Sequence, residues 1–281
     1  MDERLLTMDR LEGFLRQLCR EERARGTVEK YRRDLGAFAA WLEGRAVTAE
    51  AAKAWKDQLL SSGLSPVTVN SKLSALNSLL KFLGWENCRV KFLRLQRRVF
   101  RERDRELTRE EYGRLLAAAR ETGRERLELL LETICATGIR VSELRYITVD
   151  AARSGRADVA LKGKIRTVLL PGKLCRKLLK YAKRQKTASG EIFDTKSGRS
   201  LCRRQIWQEM KNLCKRAGVA PSKVFPHNLR HLFATVFYRA CRDIVRLADV
   251  LGHSSVNTTR IYLQTTGAEH VRQLDRLRLV T

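Results

Sequence analysis

Polar residues that packing alone does not call for fall in three short stretches of this 281-residue chain. In Ala136-Thr-Gly-Ile-Arg140-Val-Ser-Glu143-Leu, an arginine follows a glycine that can end one helix and precedes Ser142 and Glu143, which suit the start of the next. An arginine there sits near a helix N-terminus, where backbone N–H groups already favour an anion. In Pro226-His227-Asn-Leu-Arg230-His231 the proline opens a helix. His227 and Arg230, three positions apart, then share a face, so a base and a phosphate clamp can point at one atom. His231, one residue on, points elsewhere and reads as structural. In Leu251-Gly-His253-Ser-Ser-Val-Asn-Thr-Thr-Arg-Ile-Tyr262 the glycine ends a helix, His253 occupies the turn, and Tyr262 follows on a short helix. The chemistry open to such a set is phosphoryl transfer, with cations for the equatorial oxygens, a phenol as nucleophile and imidazoles to move protons. Taken singly, each stretch has a plainer reading. Arg140 could be a surface arginine at a turn, His227 and Arg230 a helix-start histidine and a solvated arginine, and Tyr262 a core residue.

These stretches need elements to position them, and the hydrophobic pattern provides a mainly α chain with one small antiparallel β-sheet. Leu11, Phe14, Leu15 and Leu18 recur at helical spacing, as do Tyr31, Leu35, Phe38, Trp41 and Leu42. A third helix should hold Trp55, Leu59 and Leu60. A fourth starts at Ser65-Pro66, carries Leu73, Leu76, Leu79, Leu80 and Leu83, and stops at Gly84. Together they predict a helical domain over residues 1–98. A basic linker over 99–105 follows, the end of a stretch from Arg89 to Arg105 with eight basic and two acidic residues. A second domain, 106–281, opens on the capping box Thr108-Arg-Glu-Glu111. Its next helix, Leu127 to Ala136, ends at Thr137-Gly138. The period then changes, and Val149–Ala152, Asp158–Leu161 and Arg166–Leu170 read as strands, the last two joined by a tight turn at Lys162-Gly163-Lys164. Helices resume over Lys173–Lys186, Arg203–Arg216, and from Pro226 onward with breaks near Arg242 and Gly252.

The charge says what such a molecule meets. Lys and Arg number 57 against 31 Asp and Glu, a formal net charge of +26. An apolar fraction of 43% and only 4 prolines exclude a disordered basic tail. Residues 1–100 hold 19 basic and 12 acidic residues (+7), and residues 101–281 hold 38 and 19 (+19), so both domains suit the same polyanion. No apolar run approaches the ~20 residues of a membrane helix, and the N-terminus lacks a secretory pattern. No membrane association and a cytoplasmic location are expected. The 7 cysteines are odd in number and scattered without a C-x-x-C pair. They read as reduced, small apolar residues, not as a disulfide framework or a zinc site.

The order and flanks of the three stretches, TGIRVSEL, HNLRHLFAT and LGHSSVNTTRIY, resemble the boxes of the tyrosine recombinase (phage integrase) family. The likeness is strong over residues 106–281. Over residues 1–98 it is a similar helical layout, like the core-binding domain of Xer-type and small mobile-element integrases. The resemblance implies a two-domain, C-shaped clamp around double-stranded DNA carrying specific recombination sites, associated with the nucleoid. It further implies that Arg140 and Arg230 grip the scissile phosphate, His253 donates to a non-bridging oxygen, and Tyr262 is the nucleophile. His227 would assist deprotonation of Tyr262, and Lys162 would protonate the leaving 5′ oxygen. The turn is one residue shorter than the family's commonest lysine-glycine-x-lysine, so Lys162 competes with Lys164 for that role. Glu143 would be a supporting residue that orients Arg140 or the basic sites. The implied reaction needs no cofactor, neither ATP nor metal.

The resemblance also implies a homotetramer on two duplexes, monomeric or dimeric when free, with an apolar stripe after Tyr262 (Val271, Leu274, Leu277, Leu279) docking head-to-tail on a neighbour. Two other readings remain at this point. One is a type IB topoisomerase-like enzyme, disfavoured by the helical N-terminal half and the short segment after Tyr262. The other is a non-catalytic helical DNA-binding protein, disfavoured because every expected active-site position holds a competent residue.

Overall fold

Several helix starts in this chain are written by side-chain caps, and the structure realises them. A computed structural model describes residues 4–95, 105–161, 164–195, 197–263, 271 and 275–277. Two units emerge, Met1–Arg97 and Arg98–Thr281. In the first, Thr7, Thr48 and Ser65 cap α1 (Met8–Arg20), α3 (Ala49–Ser61) and α4 (Pro66–Phe82), and α2 (Arg25–Leu42) completes the set. Leu35, Phe38, Trp55, Leu73, Leu76 and Leu80 form its core. One carboxylate is buried among them: Asp34 accepts from Lys30 Nζ at 2.6 Å and Lys72 Nζ at 3.4 Å. Helix α4 also steers the chain out of the unit. Asn77 makes two hydrogen bonds with the backbone of Val90 (2.8 and 3.0 Å), and Asn70 makes two with Leu93 (2.9 and 2.8 Å).

The second unit opens with the Thr108–Glu111 capping box of α5 (Arg109–Glu121). Helix α6 (Glu125–Thr137) ends on Gly138 in the left-handed conformation. A 3₁₀ helix (Val141–Tyr146) leads to α7 (Val149–Ser154). Here the structure corrects the sequence reading, because Val149–Ala152 is helical and not a strand. Thr148 Oγ1 accepts from Ala151 N, and left-handed Gly155 closes the other end, so caps decide a segment too short for periodicity to classify.

The strands β1 (Arg156–Leu161) and β2 (Lys164–Leu169) form a two-stranded antiparallel sheet, with Leu161 opposite Lys164 and Arg156 opposite Leu169. Lys162 and Gly163, at the turn, lie outside the described residues. Then follow α8 (Gly172–Arg184), α9 (Arg203–Ala217), α10 (Pro226–Cys241), α11 (Ile244–Leu251), α12 (Val256–Thr259) and a 3₁₀ turn, Arg260–Leu263. The unit is mainly α with this small sheet, as the sequence predicts. Leu115, Leu131, Ile134, Leu178, Met210 and Leu229 are central to its core. A smaller cluster of Ala234, Leu247, Leu251 and Tyr262 joins α10, α11 and the final turn.

Cys88, Cys175 and Cys214 are buried as expected, whereas Cys19, Cys202 and Cys241 are exposed. Cys202 caps α9, its Sγ accepting from Gln205 N. Of the C-terminal stripe, Leu274 and Leu279 lie outside the described residues, and Val271 and Leu277 are exposed. Among the described residues no helix is long and apolar enough to cross a membrane.

Candidate active site

Arg140 follows the left-handed Gly138 and stands at the start of the 3₁₀ helix. The glycine is required twice over. Its φ is +63°, and a Cβ there would fall 2.5 Å from the Phe233 ring. Glu143, buried to 2% exposure, reaches back to the same arginine: Oε2 accepts from Arg140 N (2.9 Å) and Oε1 from Arg140 Nη1 (2.8 Å). Burial pushes the Glu143 carboxyl up, but hydrogen bonds from Arg140 N, Arg166 and the Arg140 guanidinium outweigh it and hold the group below its usual range. The carboxylate is therefore charged and fixes the direction of Arg140.

Arg230 enters from α10 and is only 4% exposed. Its Nη1 donates to Gly138 O, and its Nη2 donates to Leu251 O at 2.7 Å and lies 3.0 Å from His253 Nε2. Both carbonyls close helices, α6 and α11, where a cation meets the negative end of the dipole. Burial, then the neighbouring Arg140 charge, lower Arg230 to about 10, while the Tyr262 hydroxyl acts the other way. Arg230 thus stays protonated at neutral pH. No carboxylate pairs with it among the described residues.

His253 sits in the turn after α11, with Nδ1 2.9 Å from Thr259 Oγ1. Burial, followed by Arg230, Arg140, Arg166 and His227, lowers its pKa to about 4. The imidazole is neutral at pH 7; because a guanidinium cannot accept, Nε2 accepts from Arg230, and Nδ1–H donates to Thr259 Oγ1. A stability signature follows. The unfolded chain takes up a proton at His253 below its ordinary value of 6.5, while the native ring stays neutral down to about 4. Acidification across that window therefore favours unfolding. We expect the thermal midpoint of the wild type to fall between pH 6.5 and 4 by a few degrees more than that of His253→Gln, read by circular dichroism melts. Equal slopes would sink the assignment.

Tyr262, 5% exposed, packs within the small apolar cluster. Its ring lies 6.0 Å from that of His253, 6.3 Å from His227 and 5.1 Å from His231. Arg140, His227, Arg230, His253 and Tyr262 line one cleft of about 600 Å³. The structure thus brings together five of the sequence-derived candidates, with Glu143 behind Arg140. Lys162 falls outside the described residues, as does the side chain of Lys164. Two neighbours escaped the sequence reading. His231, set aside as structural, is the histidine ring nearest Tyr262 of the three, though it also reaches Thr235 Oγ1 through Nδ1 (3.4 Å). Arg166 reaches Glu143 Oε2 at 2.6 Å. Its signal was available, since strand alternation puts it on the inner face between Ile165 and Thr167.

Comparison with known proteins shows which family the chain belongs to. Residues 105–269 match the phage integrase family, and residues 11–87 match the phage integrase N-terminal SAM-like domain. The chain belongs to the phage integrase family. It is a tyrosine recombinase, an enzyme of site-specific recombination, with relatives of the Xer type. It is 32% identical to tyrosine recombinase XerD of Brucella suis over 90% of this chain and 91% of that one. It is 30% identical to XerA of Pyrococcus furiosus over 97% and 95%. Among solved structures, a lambda integrase (75–356) dimer bound to a COC′ core site covers 94% of this chain and 96% of its own, with a TM-score of 0.75 at 17% identity. XerH bound to its difH substrate before cleavage gives 0.70 at 19%, covering 97% and 90%. At those identities the structures establish the recombinase fold.

Proposed function

We propose that this recombinase cuts and rejoins double-stranded DNA at specific recombination sites through a 3′-phosphotyrosyl intermediate, with Arg140, Lys162, His227, Arg230, His253 and Tyr262 as its catalytic residues. The Tyr262 oxygen attacks the scissile phosphorus. A P–O bond to tyrosine forms as the bond to the 5′ oxygen breaks, and the electron pair stays on that oxygen. The phenol gives up its proton as it attacks. His227, exposed at the mouth of the cleft, receives it and can pass it to solvent. Lys162 supplies a proton to the leaving oxygen. Arg140 and Arg230 face the charge that develops on the equatorial oxygens, and His253, with its ring proton on Nε2 once the phosphate takes over the Arg230 hydrogen bond there, donates to one of them; such fixed donors stabilise a transition state most. Because the phosphotyrosyl ester keeps the bond energy, a new 5′ hydroxyl reverses the step.

One observation carries this reading: a buried Arg230, which no carboxylate pairs with among the described residues, in the same cleft as the Tyr262 phenol. That cation lacks only an anion, and a phosphodiester supplies one. The +26 charge and the two recombinases solved on DNA support duplex DNA as the partner. We propose in addition a homotetramer on two duplexes, monomeric or dimeric when free, assembled head-to-tail.

The test uses the full chain and a duplex selected by binding from a random-sequence pool. Strand exchange between two such duplexes should occur, in a complex whose light-scattering mass fits four protomers, while a supercoiled plasmid lacking the site should not be relaxed. Relaxation of that plasmid without strand exchange would replace recombination by topoisomerase-like activity.

A further inference from the structure

Arg166 has no part in the reaction proposed above, yet its contacts lead to each side of the site. It lies opposite Val159 on the inner face of β2, between Ile165, 81% exposed on the outer face, and Thr167. A guanidinium on the inner face of a small hairpin costs desolvation that an apolar residue would avoid. Its hydrogen bonds therefore mark what it holds. Nη2 donates to Glu143 Oε2 at 2.6 Å, the carboxylate oxygen that also accepts from Arg140 N. Nη1 donates to Val250 O at 2.9 Å, in the last turn of α11 just ahead of His253. Nε is buried with no partner, so the side chain is placed by where it reaches and not by full satisfaction. Between these ends its aliphatic part crosses Gly252 so closely that a Cβ there would stand 2.3 Å from Arg166 Cδ. Gly252, with φ +62°, thus serves a left-handed turn and a close approach at once.

We propose that Arg166 is a positioning residue that fixes the β1–β2 hairpin against Glu143 and the end of α11, so that the reaction's proton delivery depends on it. The inference rests on the reading that Lys162, four positions earlier in the sequence, protonates the leaving oxygen. Without Arg166, Glu143 keeps its two hydrogen bonds to Arg140, so the arginine part of the phosphate grip survives. The hairpin, by contrast, loses the side chain that joins it to Glu143 and α11. The defect belongs in proton delivery.

Chemistry separates those two outcomes. The selected duplex, nicked so that cleavage is trapped, is made in an ordinary form and in one with sulfur replacing the bridging 5′ oxygen. A thiolate leaves without help from an acid, whereas both forms need the phosphate grip. Wild type should form the covalent adduct with both. Arg166→Met should form it about 100-fold more slowly with oxygen but within about 5-fold of wild type with sulfur. Arg166→Lys, which keeps the charge, should show a smaller loss with the same recovery, and carries the test if the Met variant fails to fold by circular dichroism. Equal slowing on both substrates, or no slowing with oxygen, overturns the proposal. A wild type that cleaves neither duplex instead overturns the catalytic reading beneath it.

Discussion

Tyr262→Phe should abolish covalent adduct formation on a nicked, binding-selected duplex, by about 10⁴-fold or more, while leaving the folded protein and its DNA affinity in place. The size follows from the step removed, since without a phenol oxygen there is no atom to bond to phosphorus. The specificity follows from packing. Tyr262 is 5% exposed and held by Ala234, Leu247 and Leu251, contacts that a phenylalanine ring keeps. Two other tyrosines are poor substitutes. Burial raises Tyr112 and Tyr181, so their phenols resist ionisation. The readout is a denaturation-resistant protein–DNA band, with mass spectrometry of the nuclease-trimmed adduct locating the modified residue. An adduct that persists in Tyr262→Phe would place the nucleophile elsewhere.

His227 and His231 bracket this tyrosine differently, and the contrast shows what sequence could convey. Both lie on α10, and helical spacing correctly put His227 with Arg230 at one cleft. His231 was dismissed from its neighbour's direction alone, but Tyr262 approaches α10 from the final turn, a tertiary placement that spacing cannot encode. Arg230 is similar. Its face was legible, whereas its partners Gly138 and Leu251 lie 92 and 21 residues away. What the sequence did carry was local: the capping box at Thr108, the proline starts at Pro66 and Pro226, the glycine stops at Gly138 and Gly252, and the hairpin flanking Lys162-Gly163. It misread α7 because a six-residue helix is set by its caps and by burial of Val149, Ala151 and Ala152, not by a repeat. It passed over Arg166 because an inward cation on a strand is meaningful only once Glu143 is known to wait for it.

Arg230→Ala should slow cleavage by about 10³-fold, equivalent to about 4 kcal/mol of transition-state stabilisation, yet weaken DNA binding by no more than about 10-fold. The two effects separate because a chain of charge +26 has many cations to hold the duplex and few aimed at the reacting phosphate. Arg140 and Arg230 are not equivalent in that task. Arg140 is neutralised by Glu143 at 2.8 Å, whereas among the described residues Arg230 leans on neutral groups, Gly138 O, Leu251 O, His253 Nε2 and the Tyr262 hydroxyl. A buried cation without a counterion is costly to keep and correspondingly strong toward an anion that arrives. Arg230→Lys tests geometry against charge. An ammonium keeps the cation but lacks the planar fork that spans two helix ends, His253 and a phosphate oxygen together. It should therefore recover DNA affinity fully and cleavage only in part, remaining about 100-fold below wild type. Gel shift and single-turnover cleavage on the same duplex give both numbers. Full recovery of cleavage by lysine would mean that Arg230 acts as charge alone, and that the fork between α6 and α11 plays no part in catalysis.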